Sequence, residues 1–173
     1  YIGSRGLGDV YKRQSMIRAL MAAGEPWGIT PYGTEALGVM RIEKGHVTGN
    51  ELNGTITARN LGMARMVSAK KDSIGAVLAG REALVAEDGL CLVGLEALDD
   101  GQVIAGSHLF DAEGPVDAAH DRGYVTSAAY SPHIGASIGL GFITRGAERN
   151  GEVVRALNPV SYTHLRAHET RCN

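Results

Sequence analysis

The chain has 173 residues, enough to bury one hydrophobic core or two small ones. Hydrophobic residues make up 44% of it and charged residues 21%, which is the composition of an ordinary folded protein. A net charge of −2 gives none of the basic surface that nucleic-acid binding requires. Cys91 and Cys172 lie far apart, so we expect neither a disulfide framework nor a zinc site, and the predicted compartment is the cytoplasm.

The two ends of the chain differ from the rest. Residues 6–14 and 161–170 each resemble peptides that recur in unrelated metagenomic translations. We therefore expect residues 1–14 and 161–173 to be translated sequencing-adapter read-through, with genuine polar tails as the alternative. The part between them lacks a start methionine, and we expect it to be an internal piece of a longer protein.

Helices and short strands are predicted to alternate in residues 15–88. A helix is predicted at residues 16–23, a loop or short strand at residues 25–29, and a second helix, which begins at a Thr-Pro N-terminus, at residues 31–39. A strand of alternating apolar and charged residues is predicted at residues 40–43. Two further short strands at residues 55–57 and 63–67 and a third helix at residues 72–85 follow.

The second region, residues 89–160, has the pattern of an antiparallel β-structure. An apolar run at residues 90–95 predicts a buried strand, and Asp-Asp-Gly at residues 99–101 predicts a hairpin turn into the next strand. Further strands are predicted at residues 123–130, 137–142 and 152–157.

The strand at residues 137–142 is unusual because large and very small side chains alternate along it. Ile138, Leu140 and Phe142 form one face, and Gly139 and Gly141 leave the other face nearly bare. Such a strand can pack closely on both sides, as in a small barrel. The predicted fold class is therefore α+β, in which a mixed region is followed by a small antiparallel barrel or sandwich.

The sequence contains no strong catalytic motif. Ser137 has the Gly-x-Ser-x-Gly spacing of a hydrolase but not the strand-turn-helix context that this motif requires. The histidines have no metal-ligand spacing, so we expect no metal site. The most suggestive residue is Glu43, which lies between Arg41 and Lys44. An ionised carboxylate can accept the paired hydrogen bonds that a pterin or guanine edge offers, and a surface ion cluster is the alternative.

Longer segments resemble a known family. Residues 27–37 and 40–46 are similar to a signature of sarcosine oxidase alpha subunits, which belong to the aminomethyltransferase (glycine-cleavage T-protein) family. The similarity covers nearly all of residues 20–158. Further matching blocks are residues 49–57, 60–62, 70–75, 123–132 and 149–154. Ala58, Asn60 and Ser73 depart from the family pattern, which puts local packing and turn stability in doubt more than chemistry.

The resemblance implies a tetrahydrofolate site and assigns residues to it. It implies a partial folate-binding domain at residues 15–88 and the family's C-terminal barrel domain at residues 89–160. The family's pterin-binding glutamate corresponds to Glu43, and Arg41 is expected to orient it or balance its charge. Tyr32 and Glu51 are further candidate lining residues.

The resemblance also implies a reaction and its partners. Sarcosine would be oxidised at a flavin carried by a beta subunit, and tetrahydrofolate would capture the released carbon as 5,10-methylenetetrahydrofolate. FAD or FMN and NAD are expected only in partner subunits or in regions outside this chain. The family's catalytic aspartate is also expected outside it, so we expect the chain alone to be inactive.

Three alternatives remain open at this point. A glycine-cleavage T-protein or a dimethylglycine dehydrogenase-like protein would share the fold and the folate. A folate-binding assembly factor for iron–sulfur enzymes would carry a cysteine where this chain has His46, which counts against it. The segment could also act mainly as a scaffold surface for a partner subunit.

Overall fold

The computed structural model describes residues 10–68, 70–158 and 162–169. The chain divides after Thr34 into two compact units. The first contains helix α1, Val10–Gly24, and a 3-10 turn, Glu25–Trp27, which ends at Gly28 with a φ of +69°. The predicted helix at residues 16–23 is confirmed and begins earlier. The predicted loop or strand after it is a single 3-10 turn.

Helix α2, Thr34–Lys44, corrects two predictions. The second helix begins later than residue 31, and residues 40–43 continue it instead of forming a strand. Glu35 lies in its first turn and Arg41 and Lys44 in its last, which suits the helix dipole. The alternation of residues 40–43 is too short to distinguish a strand from a helix that buries one side chain, here Ile42.

Turns and short helices lie within residues 45–68 and 70–89. Both strands predicted here are wrong, since residues 55–57 pair with no strand and residues 64–66 form a 3-10 turn. The predicted helix at residues 72–85 is two short helices, α3, Ala76–Ala79, and α4, Glu82–Val85. Gly80 ends α3, as expected for a residue that weakens helices.

Six antiparallel strands form a closed barrel in the order β1-β4-β3-β2-β5-β6. The strands predicted near β1, β3, β4 and β5 are confirmed. The hairpin predicted at residues 99–101 is wrong, because β1 pairs with β4 and β6 and not with β2. The strands are β1, Leu90–Ala97; β2, His108–Asp111; β3, Gly123–Ser131; β4, Ala136–Thr144; β5, Val153–Leu157; and β6, Tyr162–Glu169.

Strand β6 lies in the segment expected to be read-through. Leu165 and Ala167 are completely buried in the barrel interior, so the structure gives this segment a place in the sheet. The origin of the segment stays a prediction. Residues 1–9, 161 and 170–173, and therefore Cys172, lie outside the described residues.

The two faces of β4 serve different packing layers. On the interior face, Gly139 lies opposite Leu95 of β1, and a Cβ at Gly139 would approach the Ser127 carbonyl oxygen to 2.8 Å. On the outer face, Leu140 and Phe142 pack with Ile42 of α2. The two-sided packing predicted from the glycine pattern is confirmed, and it places α2 against the outside of the barrel.

Candidate functional site

Glu43 lies in the last turn of α2, beside a cavity of about 460 Å³. The cavity lies between the end of this helix and the outer face of strands β1 and β4. Its apolar walls include Ile42, Ile138 and Leu140, and its polar lining includes Lys44, Glu96 and His168. The volume falls within the range typical of small-molecule sites, about 300–1,000 Å³.

A hydroxyl of the barrel holds the Glu43 carboxylate. Ser131 Oγ donates a hydrogen bond of 2.5 Å to Glu43 Oε1 and accepts one of 3.0 Å from the Ile134 N–H. Ser131 is completely buried at the end of β3, and Ile134 also lines the cavity. The carboxylate is thus positioned by residues from both α2 and the β3–β4 hairpin.

Arg41 lies in a different environment from the one expected. Its guanidinium donates to Glu51 Oε2 at 3.0 Å and to Ser127 Oγ at 2.6 Å. The resemblance implied that Arg41 orients Glu43 or balances its charge, and this role stays a prediction. On a helix, residues two apart point in different directions, and Arg41 and Glu43 reach positions on β3 four residues apart.

Glu51 is a buried acid with an unusually complete set of donors. Thr48 contributes its N–H at 2.8 Å and its hydroxyl at 3.1 Å to Oε2, and the hydroxyls of Thr126 and Ser127 lie 2.7 and 2.6 Å from Oε1. A register shift between Val125 and Ser127 allows consecutive residues of β3 to reach the same carboxylate.

These contacts determine the charge of Glu51. Burial raises its pKa, but the hydrogen bonds from Ser127, Thr48 and Thr126 and the positive charge of Arg41 outweigh this effect and lower the pKa to about 2. With no solvent exposure and both oxygens engaged, Glu51 connects α2 and the following turn to the barrel. This geometry favours a positioning role over direct ligand contact.

Tyr32 belongs to the first unit, where its side chain is 65% exposed, and its role stays a prediction. Sequence reasoning missed Ser131, although residues 123–132 were recognised as a family-like block. The available signal was the series of hydroxyls at positions 126, 127 and 131 in an otherwise apolar strand.

Two family models match this chain. The GCVT N-terminal domain matches residues 9–71, and the glycine cleavage T-protein C-terminal barrel domain matches residues 91–159. The chain belongs to the glycine-cleavage T-protein family. The second match covers β1 to β5, and the Glu43 cavity draws on residues from both matched regions.

The curated relatives that the chain matches include proteins of two names. The chain is 48% identical over 143 residues to the sarcosine oxidase subunit alpha of Rhizobium meliloti (strain 1021), which covers 82% of this chain and 14% of that protein. It is 38% identical over 138 residues to the sarcosine oxidase subunit alpha of Corynebacterium sp. (strain P-1), a match that covers 78% of this chain and 14% of that protein. The aminomethyltransferase of Moorella thermoacetica is 34% identical over 143 residues, a match that covers 79% of this chain and 36% of that protein. This chain therefore spans about a seventh of the sarcosine oxidase subunits it matches.

The fold also has a solved counterpart. The crystal structure of glycine cleavage system aminomethyltransferase T from Bartonella henselae matches with a TM-score of 0.70 at 21% identity, over 90% of this chain and 42% of that one. This likeness supports the α+β fold with its C-terminal barrel.

The described part of the chain lacks two kinds of feature. None of its helices combines the length and hydrophobicity that a membrane span requires. Its histidine, cysteine and acidic side chains form no group of three that could hold a metal ion.

Proposed function

We propose that this chain is the tetrahydrofolate-binding, C-terminal part of a sarcosine oxidase alpha subunit. In this proposal it holds tetrahydrofolate where the carbon released from oxidised sarcosine can be captured as 5,10-methylenetetrahydrofolate. Membership of the family and the higher identity to sarcosine oxidase subunits than to the aminomethyltransferase support this choice.

The observation that carries the proposal is the carboxylate of Glu43 beside a cavity with both apolar and polar lining residues. A pterin ring presents a ring N–H and an exocyclic amine along one edge, and a carboxylate can accept both. Ile134, with the small accessible parts of Ile42 and Ile138, provides apolar surface against which a flat ring can pack. The residues present therefore fit the pterin end of tetrahydrofolate.

The chemical task of these residues is to bind and orient. Bound tetrahydrofolate would supply the amine nitrogens that accept the one-carbon unit. Glu43 would fix the direction of the ring, and the apolar walls would limit the access of water. Such positioning favours capture of a reactive carbon over its loss to solvent as formaldehyde.

The partners follow from the same proposal. Oxidation would take place at the FAD or FMN of a flavin-bearing beta subunit, and NAD would bind outside this chain. We place the assembled protein in the cytoplasm. A pull-down of that beta subunit by the chain tests this part, and a failure of association under conditions where the chain is folded would contradict it.

The direct test is calorimetric titration of the chain, within a completed version of its folate-binding domain, with tetrahydrofolate under anaerobic conditions. Glu43→Ala should weaken binding about tenfold or more, because it removes charge-assisted hydrogen bonds worth roughly 1.5–3 kcal/mol. The matched control is Glu35→Ala, which removes an exposed acid from the other end of the same helix and should leave the affinity unchanged. Equal affinity of the Glu43 variant and the unmutated chain would overturn the proposed site.

Aminomethyltransferase activity is the second candidate, favoured by both matching family models. It would use the same kind of folate site, so the Glu43 titration tests what the two candidates share. Association with the flavin-bearing beta subunit separates them, because only the sarcosine oxidase proposal requires it.

A further inference from the structure

The β3–β4 hairpin fixes the hydroxyl of Ser131 at one place and in one direction. The Ser131 carbonyl accepts a hydrogen bond from the Gly135 N–H at 2.8 Å, and its Oγ accepts one from the Ile134 N–H at 3.0 Å. Gly135 has a φ of +80°, a conformation that glycine adopts without strain. Because the side chain is completely buried, the surrounding backbone and not solvent determines its orientation.

The donor end of this hydroxyl is directed at Glu43. The Ile134 N–H already binds the oxygen of Ser131, so the hydroxyl hydrogen is available for Glu43 Oε1 at 2.5 Å. A distance this short is typical of a hydroxyl donating to an ionised carboxylate. Among the described residues, Ser131 donates a hydrogen bond to Glu43 at Oε1, and Oε2 remains available to a ligand.

A glutamate on the last turn of a helix can otherwise adopt several side-chain conformations. Selecting one of them costs conformational entropy, and a ligand that must do so binds less tightly. The Ser131 contact makes that selection before the ligand arrives. The hydroxyl belongs to the barrel, 88 residues after Glu43, so the two matched domains meet at this carboxylate.

We propose that Ser131 is a positioning residue that presets the Glu43 carboxylate for the 2-amino-4-oxo edge of a reduced pterin. This inference rests on the proposed function and deepens it. Ser131 donates to Oε1 and not to Oε2. Oε2 can therefore accept one hydrogen bond from a ligand, and Oε1 can accept a second one beside that of Ser131. The site thus selects a ligand edge that offers two parallel donors. The barrel hairpin thereby takes part in ligand recognition.

A purely structural role for Ser131 makes a different prediction. If the hydroxyl only fastens the hairpin to α2, its removal should lower stability without acting through Glu43. A double-mutant cycle on ligand affinity separates the two roles, because residues that act as one unit give non-additive effects.

The experiment measures tetrahydrofolate binding by the unmutated chain, Ser131→Ala, Glu43→Ala and the double variant, with thermal unfolding recorded for each. Ser131→Ala should weaken binding about three- to tenfold, and it should have no further effect when Glu43 is already alanine. Ser131→Thr retains the hydroxyl and should recover most of the affinity.

The matched control is Ser137→Ala. Ser137 is a buried barrel serine whose Oγ accepts the Val103 N–H at 3.0 Å, and it is not among the residues that line the cavity. This variant should lose stability and keep its affinity for tetrahydrofolate.

The outcomes separate the inference from the function on which it rests. Unchanged affinity of Ser131→Ala, or an equal loss with and without Glu43, overturns the role of Ser131 while leaving the folate site in place. A similar loss of affinity in Ser137→Ala also overturns it, because the effect would then follow general destabilisation. If the unmutated chain binds no tetrahydrofolate, the proposed function itself fails, and this inference fails with it.

Discussion

Arg41 Nη1 and Glu51 Oε2 lie 3.0 Å apart, and the Glu51 side chain is completely buried while that of Arg41 is 15% exposed. Buried ion pairs stabilise a protein little in total when compared with apolar replacements, but losing one partner leaves the other charge without compensation. Here the remaining hydrogen-bonding capacity of Glu51 is used by Thr48, Thr126 and Ser127. The pair therefore connects α2 to β3 and fixes the helix that carries Glu43.

Removal of the Glu51 charge should destabilise the chain strongly. Glu51→Gln keeps the shape of the side chain but leaves the Arg41 cation unpaired in a mostly buried position. The free energy of unfolding in urea should fall by about 3–5 kcal/mol. Glu113→Gln is the control, because Glu113 is exposed and should change stability by less than about 0.5 kcal/mol. A loss at Glu51 no larger than that of the control would show that the pair is unimportant.

The low pKa of Glu51 predicts a pH dependence of stability. Its folded-state pKa of about 2 lies below the ordinary value of 4.5, so the unfolded chain takes up this proton first as the pH falls. The stabilisation is therefore fully present above about pH 4.5 and is lost towards pH 2, and it amounts to about 3 kcal/mol.

Unfolding free energies measured between pH 5 and pH 2.5 test this prediction. Asp111 and Asp117 also have lowered pKa values and contribute with the same sign, so the comparison must be made against Glu51→Gln. The difference between the two proteins should shrink as the pH falls. Parallel curves would show that Glu51 does not titrate as its contacts require.

Two glycine-to-alanine substitutions should shift stability in opposite directions. A Cβ at Gly139 would lie 2.8 Å from the Ser127 carbonyl oxygen and 2.9 Å from Val103 Cγ1, so Gly139→Ala should cost about 1–3 kcal/mol. Gly38 lies inside α2 with nothing within 4 Å of its Cβ position, so Gly38→Ala should add about 0.5–1 kcal/mol. Thermal unfolding of both variants checks the pair, and shifts of the same sign would contradict this packing.

Local sequence patterns predicted the strands of the barrel better than its connections. The apolar run of β1 and the alternation in β4 identify strands because each pattern spans enough residues to exclude a helix. The pairing of β1 with β4 joins residues 42 to 54 positions apart, and no local turn signal carries that information. The predicted hairpin at residues 99–101 failed for this reason.

In the candidate site, too, the sequence indicated individual residues better than the contacts between them. Glu43 was identified by the resemblance of its surrounding motif, and the structure places it beside a cavity. The side chain of Arg41 donates to Glu51 and Ser127, contacts that the charge pattern around Glu43 did not indicate, and its expected role towards Glu43 stays a prediction. The contact with Ser131 joins hydroxyl and carboxylate across 88 residues and depends on tertiary folding, so local pattern alone could not reveal it.

Strand β6 pairs with β1 on one side and with β5 on the other, and it lies beyond the matched barrel domain. A version of the chain ending at residue 160 would therefore leave the backbone amides and carbonyls along both neighbouring strands without their partners. Open strand edges readily accept other extended segments, including those of identical molecules. The sequence at the β6 position thus determines whether the sheet closes into a barrel or leaves strand edges that can pair with other molecules.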